Sequence, residues 1–424
     1  MKHILLFIAI LLSVLSIEAQ SKLIKANAYL NVRTGKLIKP ANLLIENGLI
    51  KSINPKSIPN NVEIIDLSNK ILLPGLMDMH VHLDMDFMKN HANLMVTENS
   101  SKRTLRAVKN AEKTLLAGFT TIRNLGQIHP TKELIDVALS EASDDNWIVS
   151  PRIIPCGHMI GTTGGHADLS MFGNFAEGVM DLSPEYGIAD GNDEVLKATR
   201  YQIKHGAKAI KIMATAGVTS LEKHVGAQQL TFEEMKTIVE EANRHGITVA
   251  AHAHGAEGII VALRAGVTSI EHGFLLNDEA ISLMKKKNTF LVPTIPILKE
   301  IDFESLDPIV TKKAKLIIKK SNKNHQKAVN EGIKIAFGTD APIILSHGKN
   351  AMEFQALIDI GLTPLDAIQA ATINSAEMLN LNDRGEIKSG FLADIIAVNL
   401  NPIENIRTLE NVVFVMKDGI VFKN

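Results

Sequence analysis

Three features of the chain predict an α/β fold, a (β/α)8 TIM-like barrel flanked by a small composite β-sandwich from both chain ends. Residues 73–381 alternate short apolar runs with amphipathic helical stretches. Both ends carry shorter alternating runs broken by tight-turn dipeptides. Histidines, a lysine and an aspartate recur in or at the ends of the apolar runs, on the rim where such a barrel carries its functional side chains.

The first residues stand apart from both units. Lys2 and His3 precede ILLFIAILLSVLSI, with Ala19 just beyond. A basic start, a short apolar run and a small residue are the layout of a secretory signal peptide. The run is short of the roughly 20 residues that span a bilayer. Residues 1–20 are therefore expected to be removed and the mature chain exported, periplasmic or secreted, without stable membrane insertion. A retained N-terminal anchor is the alternative. Cys156 is the only cysteine, which excludes an internal disulfide. A formal net charge of -1 in 424 residues gives no basis for a nucleic-acid partner.

Residues 21–72 read as short strands: LIKANAYLNV, NLLIENGLIKSI and EIIDLSNKILL. Asn47-Gly48 between apolar runs is a hairpin turn signal. Residues 382–424 have the same character, in ADIIAVNL and NVVFVMKDGIVFK, with Asp418-Gly419 as a second hairpin. Each end alone would leave sheet edges and one face bare, so the two are expected to pair.

In the middle, the apolar runs are GLMDMHVH, FTTIRNLG, RIIPCG, AIKIMATAG, ITVAAHAHG, TSIEHG, TFLVPT and IKIAFGTD. The helical patterns between them end at Gly118, Gly206, Gly246, Gly266 and Gly332, as left-handed C-terminal caps require. Thr231 and Glu234 form a capping box. Helices near 349–359 and 364–379 would close the ring.

His80 and His82 are two apart in the first run, so in a strand they leave on one face and can share an ion. Two stray histidines are the plainer reading of that pair alone. His252 and His254 at the end of the fifth run, His272 in the sixth and Asp340 in the eighth change it. His80, His82 and Asp340 can hold one ion, and His252 with His272 a second. Two divalent cations, with zinc expected, need a bridging anion. Lys211 in the fourth run can supply one. A buried lysine has a depressed pKa, and its neutral amine can take up carbon dioxide to give a carbamate. A water between two such ions would lose a proton near neutral pH, and Asp340 would accept it and deliver it to a leaving group.

This set resembles the amidohydrolase superfamily: H-x-H on the first strand, Lys on the fourth, His on the fifth and sixth, Asp on the eighth. IKIMATAG, VAAHAHGAEGI and TSIEHG are most similar to the imidazolonepropionase-related branch that contains Xaa-Pro and other dipeptidases. The resemblance implies two zinc ions, an N6-carboxylysine at Lys211, a dipeptide or other small amide as substrate, and homo-oligomeric assembly. It also makes His252 rather than His254 the fifth-strand ligand. His254 is then substrate-facing, a support for a ligand, or a turn histidine.

Related dipeptidases carry a segment like GGH after the third strand, so His166 is expected to bind substrate and to donate to its carbonyl oxygen. His158 in the same loop is left open. Where those enzymes have an aromatic residue after a glutamine, this chain has Leu230, a departure that counts against dipeptide specificity. Arg123 is a weak candidate for pairing with a substrate carboxylate. Single-metal deaminases of the superfamily carry a glutamate three residues after the fifth-strand histidine, and Gly255 stands there. A deaminase or cyclic-amidine hydrolase is thus the second reading, and a non-catalytic exported binding protein the third. His91, His129, His205, His224, His245, His325 and His347 fall in helices or loops and are expected to be solvated. Met213, Met284 and Met352 are expected to pack in the core.

Overall fold

The computed structural model describes residues 21–86, 94, 97–127, 129, 131–172, 181–220, 222, 224–297, 300, 301, 303, 304 and 306–424. The expected signal peptide and His91 lie outside them.

The chain opens with β1 (Lys22–Asn31), β2 (Lys36–Ile38), β3 (Ala41–Glu46), β4 (Leu49–Ile53) and β5 (Glu63–Pro74). Then come β6 (Leu76–Val81), α1 (Ser100–Leu116), β7 (Phe119–Asn124), α2 (Ile135–Asp144), β8 (Arg152–Pro155), α3 (Gly191–Lys204), β9 (Ala209–Met213), α4 (Phe232–Arg244), β10 (Thr248–Gly255), α5 (Ala256–Ala265), β11 (Ser269–Leu275), α6 (Asp278–Lys287), β12 (Phe290–Val292) and α7 (Pro308–Asn330). Three short helices follow, α8 (Met352–Asp359), α9 (Pro364–Ala370) and α10 (Ile373–Met378). The end is β13 (Ile395–Val398), β14 (Phe414–Lys417) and β15 (Ile420–Lys423).

The two chain ends share one sheet, in the order β15-β14-β13-β5-β1-β3-β4, with β2 on β1. Its strands form one continuous hydrogen-bonded path. β5 is the joint: it runs parallel to β1 from Glu63 to Leu72 and antiparallel to β13 from Ile71 to Pro74. The sheet encloses its own apolar core, in which Ile24, Leu43 and Ile45 meet Ile395, Phe414 and Met416. Both hairpins have the positive φ pair of a type I′ turn, 51° and 75° at Asn47-Gly48 and 52° and 73° at Asp418-Gly419. These turns touch: a side chain on Gly48 would lie 3.1 Å from the carbonyl oxygen of Asp418.

The middle of the chain is parallel α/β structure. One sheet is β6-β7-β8 and the other β12-β11-β10-β9. Single parallel bridges continue the pairing, Ile160 to Ile212, Leu291 to Ile335 and Val81 to Ala341. The last expected strand, IKIAFGTD, is not a regular ladder. Its backbone follows β12 and β6 through Ala336 N to Leu291 O (3.0 Å) and Met79 N to Phe337 O (2.8 Å). Asp340 then leaves the extended region at φ 55°, yet the backbone stays bonded to β6 through Asp340 N to His80 O (2.8 Å) and His82 N to Ala341 O (2.7 Å). The helices obey their local signals: Thr231 and Glu234 cap α4 reciprocally, and Gly266 closes α5 at φ 100°.

Gly75 joins the shared sheet to β6 and therefore sets where the first site strand enters. A Cβ there would stand 2.1 Å from Thr120 Oγ1 on β7. Gly75→Ala is expected to cost about 1–3 kcal/mol as overpacking, read by urea denaturation. Thr120→Ala in the same chain should recover part of that loss.

Candidate active site

The β6 ladder leaves His80 and His82 on one face, buried at 1% and 3% exposure. The partners of their Nδ1 atoms decide what their Nε2 atoms can do. His80 Nδ1 lies 2.8 Å from Glu271 Oε2, and His82 Nδ1 lies 2.9 Å from the carbonyl oxygen of Gly126. A carbonyl only accepts. Glu271 is ionised: burial alone would raise its pKa, but the Arg123 guanidinium at 2.8 Å and His80 hold it down to about 2. In the neutral form both rings therefore carry the proton on Nδ1 and present a lone pair on Nε2. Burial and the nearby Lys211 ammonium push the His80 pKa down, which keeps that ring neutral.

Both Nε2 atoms lie 3.3 Å from the same oxygen, Asp340 Oδ1, and that oxygen accepts no hydrogen bond from the described residues. Three acceptors face one another with no proton between them. Such a group is repulsive unless a cation sits among its members. The donor set of imidazole nitrogens and carboxylate therefore fits a divalent metal.

His272 joins from β11. Glu271 and His272 are adjacent, so a regular strand would send them to opposite faces. The backbone at His272 has φ 68°, and both side chains enter the interior. Thr294 Oγ1 lies 2.7 Å from His272 Nδ1, which leaves its Nε2 for the cluster. Nitrogen or oxygen atoms of His80, His272 and Asp340 fall within 4.8 Å of one another.

Lys211 on β9 stands beside Ala250 of β10, whose small side chain leaves room for it. It is 1% exposed, and burial lowers its pKa to about 8. The His252 ring lies 4.7 Å from that of His272, and its buried Nε2 has no partner among the described residues. His166 lies 4.5 Å from His252 and His254 lies 4.6 Å from it, ring centre to ring centre. His166 and His254 each keep a buried Nδ1 with no partner among the described residues. Burial pushes both of their pKa values down to about 3, so both rings are neutral. All eight residues, these two with His80, His82, Lys211, His252, His272 and Asp340, line one cavity of about 450 Å³. Its walls are largely apolar, with Met85, Met159, Phe274, Ile317 and Ile343 among them.

Several expectations need correction. Arg123 does not face the cavity; it is fully buried and bonds to Met79 O, Ser269 and Glu271, so it serves the interior ion pair. Leu230 is buried in the main core rather than in the cavity wall. His129, His325 and His347 are buried rather than solvated. Each bonds a backbone carbonyl, of Glu98, His272 and His82 respectively. His205, His224 and His245 are exposed as expected. His158 is buried and held by Thr131 O at 2.8 Å, outside the cavity. Met213 packs in a small core cluster and also lines the cavity. Sequence reading missed Glu271 and Thr294, which orient two of the histidines, although Glu271 directly precedes a histidine that had been singled out. It also missed Asp78, whose oxygens accept from His80 N, Thr339 and Asn350.

Fold and cluster together define a class, the metal-dependent amidohydrolases. Residues 71–421 match the model of the amidohydrolase family, and the chain belongs to that family. Ochratoxinase of Aspergillus niger is 34% identical over 379 residues, covering 83% of this chain and 76% of that one. The structure of a Xaa-Pro dipeptidase with methionine bound in its active site superposes with a TM-score of 0.89 at 37% identity, covering 96% of this chain and 100% of the other. A prolidase complexed with N-methylphosphonate-L-proline gives 0.86 at 27% identity, with 96% and 100% coverage.

The buried histidines set an acid limit. His158, His325 and His347 have pKa values near 4, lowered by burial from 6.5. An unfolded chain takes up their protons near 6.5, and the fold only near 4. Between these values the unfolded state holds more protons, so stability falls as pH falls. His80, His166, His252, His254 and His272, also lowered by burial, act in the same direction. Asp78 and Asp136, raised by burial to about 6, oppose it below that pH. With the histidines in the majority, the urea midpoint of metal-free protein should drop from pH 6.5 to pH 4.5. A flat profile would contradict these burial assignments.

Proposed function

We propose that this chain is a binuclear metal-dependent hydrolase of C–N bonds, acting on dipeptides or N-acylated amino acids with apolar groups. The observation that carries it is the convergence of His80 Nε2 and His82 Nε2 on Asp340 Oδ1, each at 3.3 Å, in the cavity that the buried amine of Lys211 also lines. We read the two parallel sheets and their bridges as one closed (β/α)8 barrel, with the site on its rim. Export through residues 1–20 is part of the same reading.

His80, His82 and Asp340 would hold one ion, His252 and His272 a second, and a carbamate on Lys211 would link them. Zinc is the ion this donor set favours. Bound metal supplies Lewis acidity and makes water a nucleophile near neutral pH. The protein groups do the rest. Asp340 accepts the proton of the attacking water and passes it to the departing nitrogen. His166, neutral at working pH, donates a hydrogen bond to the carbonyl oxygen as charge develops there. His254 borders the substrate space. The apolar walls desolvate the bond to be cleaved and take up its flanking groups.

The deaminase reading is weaker. No side chain fits at position 255, because a Cβ there would lie 2.0 Å from Gly226 O. The glutamate that would shuttle protons to a heterocycle therefore has no place in this backbone.

Lys211→Ala should lower metal content from two equivalents per chain and abolish most activity. Added short carboxylic acids should restore part of both, because they replace the bridging anion. Full activity without rescue would show that no bridge is needed. Substrate class is tested with N-acyl amino acids of increasing acyl length. Each methylene entering the apolar cavity should be worth about 0.8 kcal/mol, or roughly fourfold in kcat/KM, until the space is filled. A series without slope would remove the apolar preference and leave the hydrolase reading intact.

A further inference from the structure

We propose that Glu353 on α8 is a positioning residue for His272: its carboxyl holds the Thr294–Ile295 backbone, so that the Thr294 hydroxyl sets the imidazole in the cluster. The inference rests on the reading of His272 as a metal ligand.

The route is short and wholly buried. Glu353 and Thr294 are both 0% exposed. Glu353 Oε1 accepts from Ile295 N at 3.0 Å, and Thr294 Oγ1 lies 2.7 Å from His272 Nδ1. Thr294 has φ 43°, a conformation that a β-branched residue avoids. Such a backbone persists only where its surroundings over-determine it. The two hydrogen bonds on either side of Thr294 do that. Without them the chain leaving β12 would relax toward the extended region and carry the hydroxyl away from the ring.

A carboxyl in this place is costly unless it has a purpose. Its second oxygen, Oε2, has no partner among the described residues. Burial and the carboxylate of Asp78 push its pKa well above the usual range, so it holds a proton. Glu353 thus acts as a neutral acceptor. A charge there would perturb the metal cluster, and an apolar side chain would leave Ile295 N bare. Backbone support of His272 comes separately, from His325 Nε2 donating to His272 O at 2.7 Å and Asn324 donating to Phe274 O at 2.9 Å. The ring is the part that depends on Glu353.

The test is metal titration of the metal-free full chain, with zinc affinity resolved for each equivalent. Partners that orient a metal-bound histidine typically contribute 10–100-fold in affinity. Glu353→Leu and Thr294→Val should each weaken one equivalent by about that factor and leave the other unchanged. Glu353→Gln keeps a neutral carbonyl acceptor and should stay within about threefold of the parent protein. The Glu353→Leu/Thr294→Val double variant should lose little more than either single one, because both act through one chain of contacts. If Glu353→Leu does not fold, the near-isosteric Thr294→Val carries the test with Glu353→Gln. Unchanged affinity at both equivalents overturns the proposal, as does equal weakening of both. A parent protein that binds no metal refutes the functional reading instead, before any variant is compared.

Discussion

Three lone pairs converge on one point in the interior of this protein, and most of its unusual local structure can be traced to keeping them there. His80, His82 and Asp340 meet at 3.3 Å without a shared proton. Left alone, such atoms would turn to other donors or to water. They do not turn because each imidazole is held from behind, one by Glu271 and the other by Gly126 O. The Nδ1 contacts set the tautomer, and the tautomer sets the lone pair. Arg123 completes the support by holding Glu271 ionised. That ion pair is fully desolvated, so its worth lies in orientation more than in stability.

The backbone is bent for the same purpose. His272, Thr294 and Asp340 have positive φ values of 68°, 43° and 55°. Residues other than glycine occupy that region at a cost of order 1–3 kcal/mol each. His272 sits within β11 and Thr294 just past β12, while Asp340 lies in the irregular eighth segment; His272 and Asp340 supply cluster atoms. A strict ladder alternates its side chains, and it could not point both Glu271 and His272 inward. The turn at His272 brings a cluster histidine and the carboxylate that supports His80 inward from consecutive residues. It also gives up part of the pairing, and the register between β10 and β11 shifts just beyond it.

What could be read from the sequence follows the same division. His80 and His82 were legible because their pairing depends only on the twofold period of a strand. Helix limits and hairpins were legible because Gly266, Thr231 and Asn47-Gly48 act within a few residues. Glu271 was hidden because period two assigns it to the wrong face, and only a tertiary constraint turns His272. The burial of His129, His325 and His347 was hidden for another reason: a helix or loop position does not say which face is covered. IKIAFGTD reads as a strand from its apolar pattern, yet Asp340 departs from the extended region in order to reach the histidines. The clearest local signals thus failed where the backbone leaves its regular geometry at the site.

Helix α7 shows how closely the cluster and the cavity are coupled. Val310, Ala314 and Ile317 line the cavity. From the same helix, Asn324 and His325 hold the carbonyls of Phe274 and His272, and Lys313 donates to the carbonyls of Gly217, Ser220 and Glu222. Gly217 in turn lies under His166, where a Cβ would come within 2.2 Å of the ring. One helix therefore forms part of the apolar wall, supports β11 and braces the loop beneath His166. A change in the wall that tilts α7 would move all three together. Substitutions at Val310 or Ile317 that leave Lys313, Asn324 and His325 in place act on the cavity alone. Those that shift the helix act on the cluster as well, and for that reason the shape of the cavity and the geometry of the histidine cluster are not independent in this fold.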